Sequence, residues 1–367
     1  MTSVELHQIF QAFAGHPVLC GLDLRIDSGE YVVLLGSSGC GKTTTLRIIA
    51  GLQSPDQGEV LLGGKSANGI APRDRDVAMV FQHDGLYPHL TIAQSLRFAL
   101  KGRVNANEMR SRLDEAVGLT QIGAILDRYP SRLSGGELRR AAVAKAIARR
   151  SSVRLLDEPL SALDIPVRHA LQDDILRWHS TVPGTSIHVT HDGQEAMRMA
   201  DKIAVMEAGQ IVQFGTPIEV FTKPQTVSVA KAIGSPPIHL FPAKLVEGKI
   251  ECRNPNIRVQ TSFRSGDSDR ELLIGVRPDS FRVDREDRTT AGEPGSDCLV
   301  VEGQWLRSRP VQRDIHVDLQ VHSDSILAIM PSETLPPAQT IRLTAAQRDV
   351  HFFDAGNGLR IEAAAGG

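Results

Sequence analysis

The sequence has few cysteines, no long apolar run and almost no net charge, and each of these shortages excludes something. Its 367 residues include four cysteines (Cys20, Cys40, Cys252 and Cys298) with no CxxC pair, which argues against a disulfide scaffold and for reduced cytosolic thiols. The longest apolar stretches, Tyr31 to Leu35 and Val77 to Phe81, fall far short of the ~20 residues a membrane-spanning helix needs. The start, Met1-Thr2-Ser3-Val4-Glu5, has neither the basic end nor the apolar stretch of a secretory signal. A soluble chain whose membrane role runs through partners is therefore expected. A formal net charge of −2 supplies no general attraction to nucleic acid, and no nucleic-acid partner is expected.

What is present is globular. Apolar residues at 41% and charged residues at 23% suit a packed fold, and the length allows two or three domains. The first ~235 residues alternate strand-like and helix-like segments, predicting an α/β domain with a mixed sheet wrapped by helices. Tyr31 to Leu35 reads as a buried strand and Lys42 to Ala50 as the helix after it. Val77 to Phe81, Val153 to Leu156 and Ser186 to Thr190 are further strand candidates, and Asn107 to Val117 carries a helical apolar face. Ile203 to Met206 and Ile211 to Phe214 predict a hairpin through Gly209. Thr216-Pro217-Ile218-Glu219 has the marks of a helix start. The prolines of Gly234-Ser235-Pro236-Pro237 mark a boundary. Residues 236–367 then shift to short strands, with strict alternation at Ile315 to Val321, predicting an all-β second domain.

Gly36-Ser37-Ser38-Gly39-Cys40-Gly41-Lys42-Thr43-Thr44 contains G-x-x-x-x-G-K-[ST] between a strand and a helix. Glycines let successive backbone N–H groups converge on phosphate oxygens, and the helix start adds its positive dipole end. Lys42 is placed to neutralise β- and γ-phosphates and Thr43 to ligate Mg²⁺. Leu155-Leu156-Asp157-Glu158 ends a strand with adjacent carboxylates, one suited to a metal and the next to polarising a water. Ser134-Gly135-Gly136-Glu137 opens an alanine-rich helix with a hydroxyl and unobstructed N–H groups.

The order of these segments, with Gln82 and with His191 after a strand, resembles the nucleotide-binding subunits of ABC transporters. The resemblance implies a P-loop cassette over 1–235, with a helical subdomain near 84–150, binding ATP and Mg²⁺. It implies that Gln82 is the Q-loop residue at the metal, beside Thr43 and Asp157. Ser134 to Glu137 becomes the signature gripping ATP held by an opposite subunit, and Glu158 the general base. Asp164 falls in the D-loop, and His191 is the switch at the γ-phosphate. Phe13 sits where an aromatic ring underlies adenine, with Phe10 as a rival.

Leu86-Tyr87-Pro88-His89-Leu90-Thr91, Gly234-Ser235-Pro236-Pro237, Gly275-Val276-Arg277-Pro278-Asp279 and His351-Phe352-Phe353-Asp354 narrow the resemblance to maltose, trehalose and glycerol-3-phosphate importer ATPases. These carry an OB-like (TOBE-type) regulatory domain, expected here over 236–367. The implied partners are a second ATPase subunit (a homodimer, or a mixed pair), two membrane-spanning permease subunits and, indirectly, an extracellular solute-binding protein. A cytosolic regulator on the C-terminal domain is a further implied partner. Polyamine or anion importers share part of the tail, and a non-transport ABC ATPase or regulatory binding module is the alternative outside transport. Three residues depart from the family pattern. Glu137 stands for the usual Gln, Arg154 enters an apolar strand with its head expected to reach solvent or a carboxylate, and Gly193 is expected to loosen the turn after His191.

Overall fold

The computed structural model describes residues 2–81, 85–161, 163–261, 263, 269–283, 297–331 and 340–362. Gln82 lies outside the described residues, as do most of the polar stretches 264–271 and 284–297. The chain forms two compact units, residues 1–217 and 218–367, so the Gly234 to Pro237 stretch lies inside the second.

The first unit begins with β1 (Val4–Phe13), β2 (His16–Ile26) and β3 (Tyr31–Gly36), followed by α1 (Lys42–Ala50). Next come β4 (Gln57–Leu62), β5 (Lys65–Ser66) and β6 (Val77–Val80), then α2 (Ile92–Leu100), α3 (Ala106–Thr120) and α4 (Gly135–Arg149). It continues with β7 (Val153–Asp157), α5 (Ile165–Thr181), β8 (Thr185–Thr190), α6 (Gly193–Met199), β9 (Lys202–Glu207) and β10 (Gln210–Gly215). One sheet has the antiparallel order β2-β1-β4-β5; the other has the order β10-β9-β3-β8-β7-β6. Every residue of β3, β7 and β8 is buried, the pattern of parallel strands covered on both faces.

Because β9, β3, β8, β7 and β6 run parallel, their carboxyl ends fall along one edge. The register sets Leu35 beside Thr190, Asp157 beside Val189 and Val80 beside Leu156. Segments far apart in sequence therefore meet at that edge: the loop after β3, the carboxylates ending β7 and the turn after β8. Ligand sites in open α/β sheets form at this edge.

The second unit holds α7 (Pro217–Thr222), whose first residue closes the first unit, and α8 (Val227–Ala232). Its strands are β11 (His239–Val246), β12 (Lys249–Cys252), β13 (Ile257–Val259), β14 (Arg270–Val276), β15 (Arg282–Val283) and β16 (Asp297–Val311). They are followed by β17 (Asp314–Val321), β18 (Asp324–Pro331), β19 (Thr340–Ala346), β20 (Val350–Asp354) and β21 (Arg360–Ile361). Two antiparallel sheets result, β12-β11-β14-β20-β21 and β15-β19-β16-β17-β18, with β13 paired to β16. Phe241, Ile274, Val301, Leu319 and Phe352 belong to their shared core. The alternation at 315–321 is realised, with Val317, Leu319 and Val321 buried.

Two tail motifs picked out in the sequence meet here. Arg277 is buried, donates to the Ile233 carbonyl at 2.6 Å and the Phe221 carbonyl at 3.2 Å, and lies 3.9 Å from the Phe221 ring centre. Gly234 has a φ of +103°, which favours glycine, and a Cβ there would also come within 2.6 Å of the Arg277 guanidinium. Burial lowers the Arg277 pKa to about 10.

His351 gives this unit a pH dependence. Burial, with Arg360 and Arg277 nearby, lowers its pKa to about 4 from an ordinary 6.5. The imidazole is neutral when folded, so its contribution is complete above pH 6.5 and is lost as pH falls toward 4. The shift corresponds to roughly 3 kcal/mol. We expect His351→Leu to flatten the fall in unfolding free energy between pH 7 and pH 4 by about that amount, measured by urea denaturation.

Candidate functional site

The loop after β3 owes its shape to its glycines. Gly39 and Gly41 have φ of +82° and +108°. A Cβ on Gly41 would also strike Leu19 at 2.6 Å, and one on Gly36 would strike the Met206 carbonyl at 2.4 Å. The curl exposes Ser37, Ser38 and Gly39, while the Cys40 side chain turns inward and is buried. Lys42 is buried at the start of α1, and its Nζ donates to the Gly36 and Ser37 carbonyls, both at 2.7 Å. The ammonium is thereby held inside the loop, where phosphate oxygens can replace those carbonyls. Thr44 follows on α1 and is partly buried.

Thr43 Oγ1 donates to Asp157 Oδ1 at 2.9 Å, joining the loop to the end of β7. Burial raises the Asp157 pKa, against the smaller effect of that hydrogen bond. Glu158 follows with φ of +45°, a left-handed backbone held by its N–H to the Val189 carbonyl at 3.1 Å. Its own carbonyl accepts from Ser161 Oγ at 2.9 Å and Arg139 at 3.2 Å. The Glu158 carboxylate is partly exposed and lies 3.6 Å from Nδ1 of the exposed His191. The structure thus gathers Lys42, Thr43, Asp157, Glu158 and His191 at one edge.

A second group lines a separate cavity in the same unit. Ser134 caps α4 and forms a capping box with Glu137: the Glu137 carboxylate accepts from the Ser134 N–H at 2.8 Å and its hydroxyl at 2.9 Å. These contacts, the backbone bond first, lower the Glu137 pKa. A cavity of about 440 Å³ is lined by Ser134, Gly135, Gly136 and Glu137 together with Leu163 and Asp164. Asp164 is exposed at the start of α5 and makes no capping bond. Phe13, ending β1, is 47% exposed, whereas the Phe10 ring packs over Gly21, so Phe13 is the freer of the two aromatic candidates.

Two of the departures behave differently from expectation. Arg154 reaches neither solvent nor a carboxylate: it is 1% exposed, stacked 4.6 Å from the Trp178 ring centre, and donates to the Val182 carbonyl. Trp178 and the end of α5 cover the guanidinium and leave it no path outward, and burial lowers its pKa to about 10. The turn at Gly193 is not loose, because Asp192 Oδ1 accepts from the N–H groups of Gln194 at 2.9 Å and Glu195 at 3.3 Å.

Relatives align from end to end. A sulfoquinovosyl glycerol transport ATP-binding protein of Agrobacterium fabrum is 37% identical over 97% of this chain and 98% of its own length. An sn-glycerol-3-phosphate import ATP-binding protein of the same organism is 37% identical over 99% of this chain and 95% of its own. The chain belongs to the ABC transporter ATP-binding proteins. The family profile described as ABC transporter matches residues 19–161 of this ABC ATPase. A solved dimeric bacterial ABC transporter cassette superposes with a TM-score of 0.54 and 27% identity, over 58% of this chain and 98% of that one.

Several residues that hold the ABC site together gave no signal as motifs. Arg139 bridges the Phe81 and Glu158 carbonyls at 2.7 and 3.2 Å, tying the end of the strand before Gln82 to the carboxylate turn. Its place one turn into α4, after Ser134, is the feature that could have pointed to it. His188, buried in β8, lies between Tyr31 Oη at 2.8 Å and Glu195 Oε1 at 2.6 Å. That pair brings β8 and α6 side by side, and no motif links its members.

Proposed function

We propose that this ABC ATPase energises uptake of a sugar, polyol or glycerol-phosphate-type solute from the cytoplasmic face of the membrane. The near full-length match to import ATP-binding proteins for such solutes, β unit included, carries this reading. No described helix is long and apolar enough to cross a membrane, so the proposed pathway belongs to two permease subunits fed by an extracellular binding protein. A cavity of about 320 Å³ lined by Phe81, Tyr87, Phe98 and Lys145 is the proposed seat of a cytoplasmic permease helix. There Lys145 Nζ lies 4.7 Å from the Tyr87 ring centre.

The loop-and-carboxylate group and the Ser134 group each form half a site. In the proposed mechanism two copies pair head to tail, each offering Lys42, Asp157, Glu158 and His191 to one nucleotide and Ser134 to the other. Glu158 takes a proton from the attacking water, and His191, 3.6 Å from it, contacts the γ-phosphate. Mg²⁺ fits this site. The desolvated Asp157 carboxylate and the Thr43 hydroxyl are hard oxygen donors, and no cluster of three His, Cys, Asp or Glu exists among the described residues to form an all-protein cage. Thr43 and Asp157, with Gln82, would hold the ion, which supplies charge neutralisation at the β- and γ-phosphates.

Glu137 sets a carboxylate against the hydroxyl that the γ-phosphate needs. Glu137→Gln keeps an acceptor for the Ser134 N–H and removes the charge. We expect ATP-driven dimers of Glu158→Gln protein to dissociate several-fold more slowly with Glu137→Gln added, read by analytical ultracentrifugation.

The function as a whole is tested by capturing tagged Glu158→Gln protein with ATP from gently solubilised native membranes. Recovery of two multi-spanning proteins supports the importer; recovery of soluble proteins alone refutes it.

A further inference from the structure

The D-loop and the switch turn are joined by a side chain that the nucleotide chemistry does not use. Arg168 lies one turn into α5, a 17-residue helix fixed in place by the buried residues Leu171, Ile175 and Trp178. Its Nη2 donates to the Leu163 carbonyl at 3.2 Å, inside the D-loop. Its Nη1 meets Asp192 Oδ2 at 3.4 Å. Asp192 spends its other oxygen on the first N–H groups of α6, and its own N–H donates to Thr190 Oγ1 at 3.0 Å. His191 sits between Thr190 and Asp192, so whatever fixes Asp192 also fixes the backbone from which the imidazole projects. A cavity of about 90 Å³ is lined by Arg168, Glu158, His191, Asp192 and Glu195, placing the guanidinium beside the reacting groups.

We propose that Arg168 is a positioning residue that locks the D-loop backbone at Leu163 to the switch turn at Asp192, and so aims His191 at Glu158. The proposal rests on the reading of the D-loop as part of the face turned to a second subunit's nucleotide. On that reading Arg168 is the hydrogen-bonded link by which a shift of the D-loop reaches the switch turn of the same subunit. The helix after the turn is held independently, by its buried residues Ala196 and Met199. Loss of Arg168 therefore frees the aim of His191 and leaves α6 docked. A fork of donors is required: a lysine ammonium is a single point of charge and cannot match the two separated acceptors with the same geometry.

The test is steady-state ATP hydrolysis by the full chain carrying Arg168→Met, Arg168→Lys or Asp192→Asn, and by the Arg168→Met/Asp192→Asn double variant. Misplacing a catalytic group by about 1 Å costs up to roughly a hundredfold in rate. We expect Arg168→Met to lower kcat by about ten- to a hundredfold with KM for ATP within about twofold of wild type. Arg168→Lys should recover part of the loss, and the double variant should lose little more than Arg168→Met alone, since both act through one contact. Unchanged kcat in Arg168→Met would overturn the proposal. So would losses that multiply in the double variant, or kcat falling only together with the melting temperature. ATP-driven dimerisation, followed in Glu158→Gln protein, separates the two readings. Its absence would sink the two-subunit site, while wild-type kcat in Arg168→Met beside normal dimerisation would sink only the role of Arg168.

Discussion

Glu158→Gln is expected to lower ATP turnover by about 10²- to 10⁴-fold while ATP binding persists, the range for removing a positioned general base. The substitution is isosteric, and the local backbone does not depend on the carboxylate. The φ of +45° is maintained by main-chain bonds from Glu158 to Val189 and by donors from Ser161 and Arg139 to the Glu158 carbonyl. Lys42, Thr43 and Asp157 are untouched, so the phosphate-binding half keeps its geometry. What disappears is a base 3.6 Å from the His191 ring. Stopped-assay phosphate release gives the rate, and equilibrium binding of a fluorescent ATP analogue gives the affinity. Turnover within a few-fold of wild type would remove Glu158 from the role.

Ser134→Arg is expected to abolish ATP-driven dimerisation and leave nucleotide binding by the single subunit intact. Ser134 faces a cavity of about 440 Å³ that a guanidinium and its stem would occupy, where a phosphate of the second subunit's nucleotide is proposed to enter. The substitution also removes an N-cap worth about 1 kcal/mol. That loss is affordable for folding, because α4 is anchored by Ala141, Val143, Ala144 and Ile147, all buried. Ser134→Ala is the control, since it loses the same cap without filling the cavity. Size-exclusion chromatography of Glu158→Gln protein with ATP is the measurement. Dimers formed equally well by the Ser134→Arg chain would refute the two-subunit arrangement.

Both predictions concern residues that the sequence singles out, and the reason is local. A loop that must curl around phosphate needs glycine at Gly39 and Gly41, because the backbone there is left-handed. A hydroxyl that starts a helix needs a short side chain at Ser134. A buried parallel strand is largely apolar, and the step from Leu155-Leu156 to two adjacent carboxylates marks Asp157 as its last residue. Such constraints act within a few residues of one another, so spacing reveals them. The same holds for the alternation that marks β17 and for the turn through Gly209, where φ is +78°.

Other features depend on which strand lies beside which. The sequence shows Arg154 as a charge in an apolar strand; only the packing of α5 decides that it faces Trp178 instead of a carboxylate. Arg277 and Gly234 look like unrelated tail motifs until the β unit brings one guanidinium against the other residue's backbone. Arg139, Arg168, Asp192 and the His188–Glu195 pair join segments up to 58 residues apart in the chain, and none has a fixed spacing from its partner. The sequence by itself determined the phosphate loop, the paired carboxylates, the capped signature helix and the change from α/β to β architecture. Each of these is written in short-range backbone geometry and burial. The tertiary structure alone decided how those parts are aimed at one another, because hydrogen bonds across parallel strands and between helices answer to register and packing, which neighbouring residues do not encode.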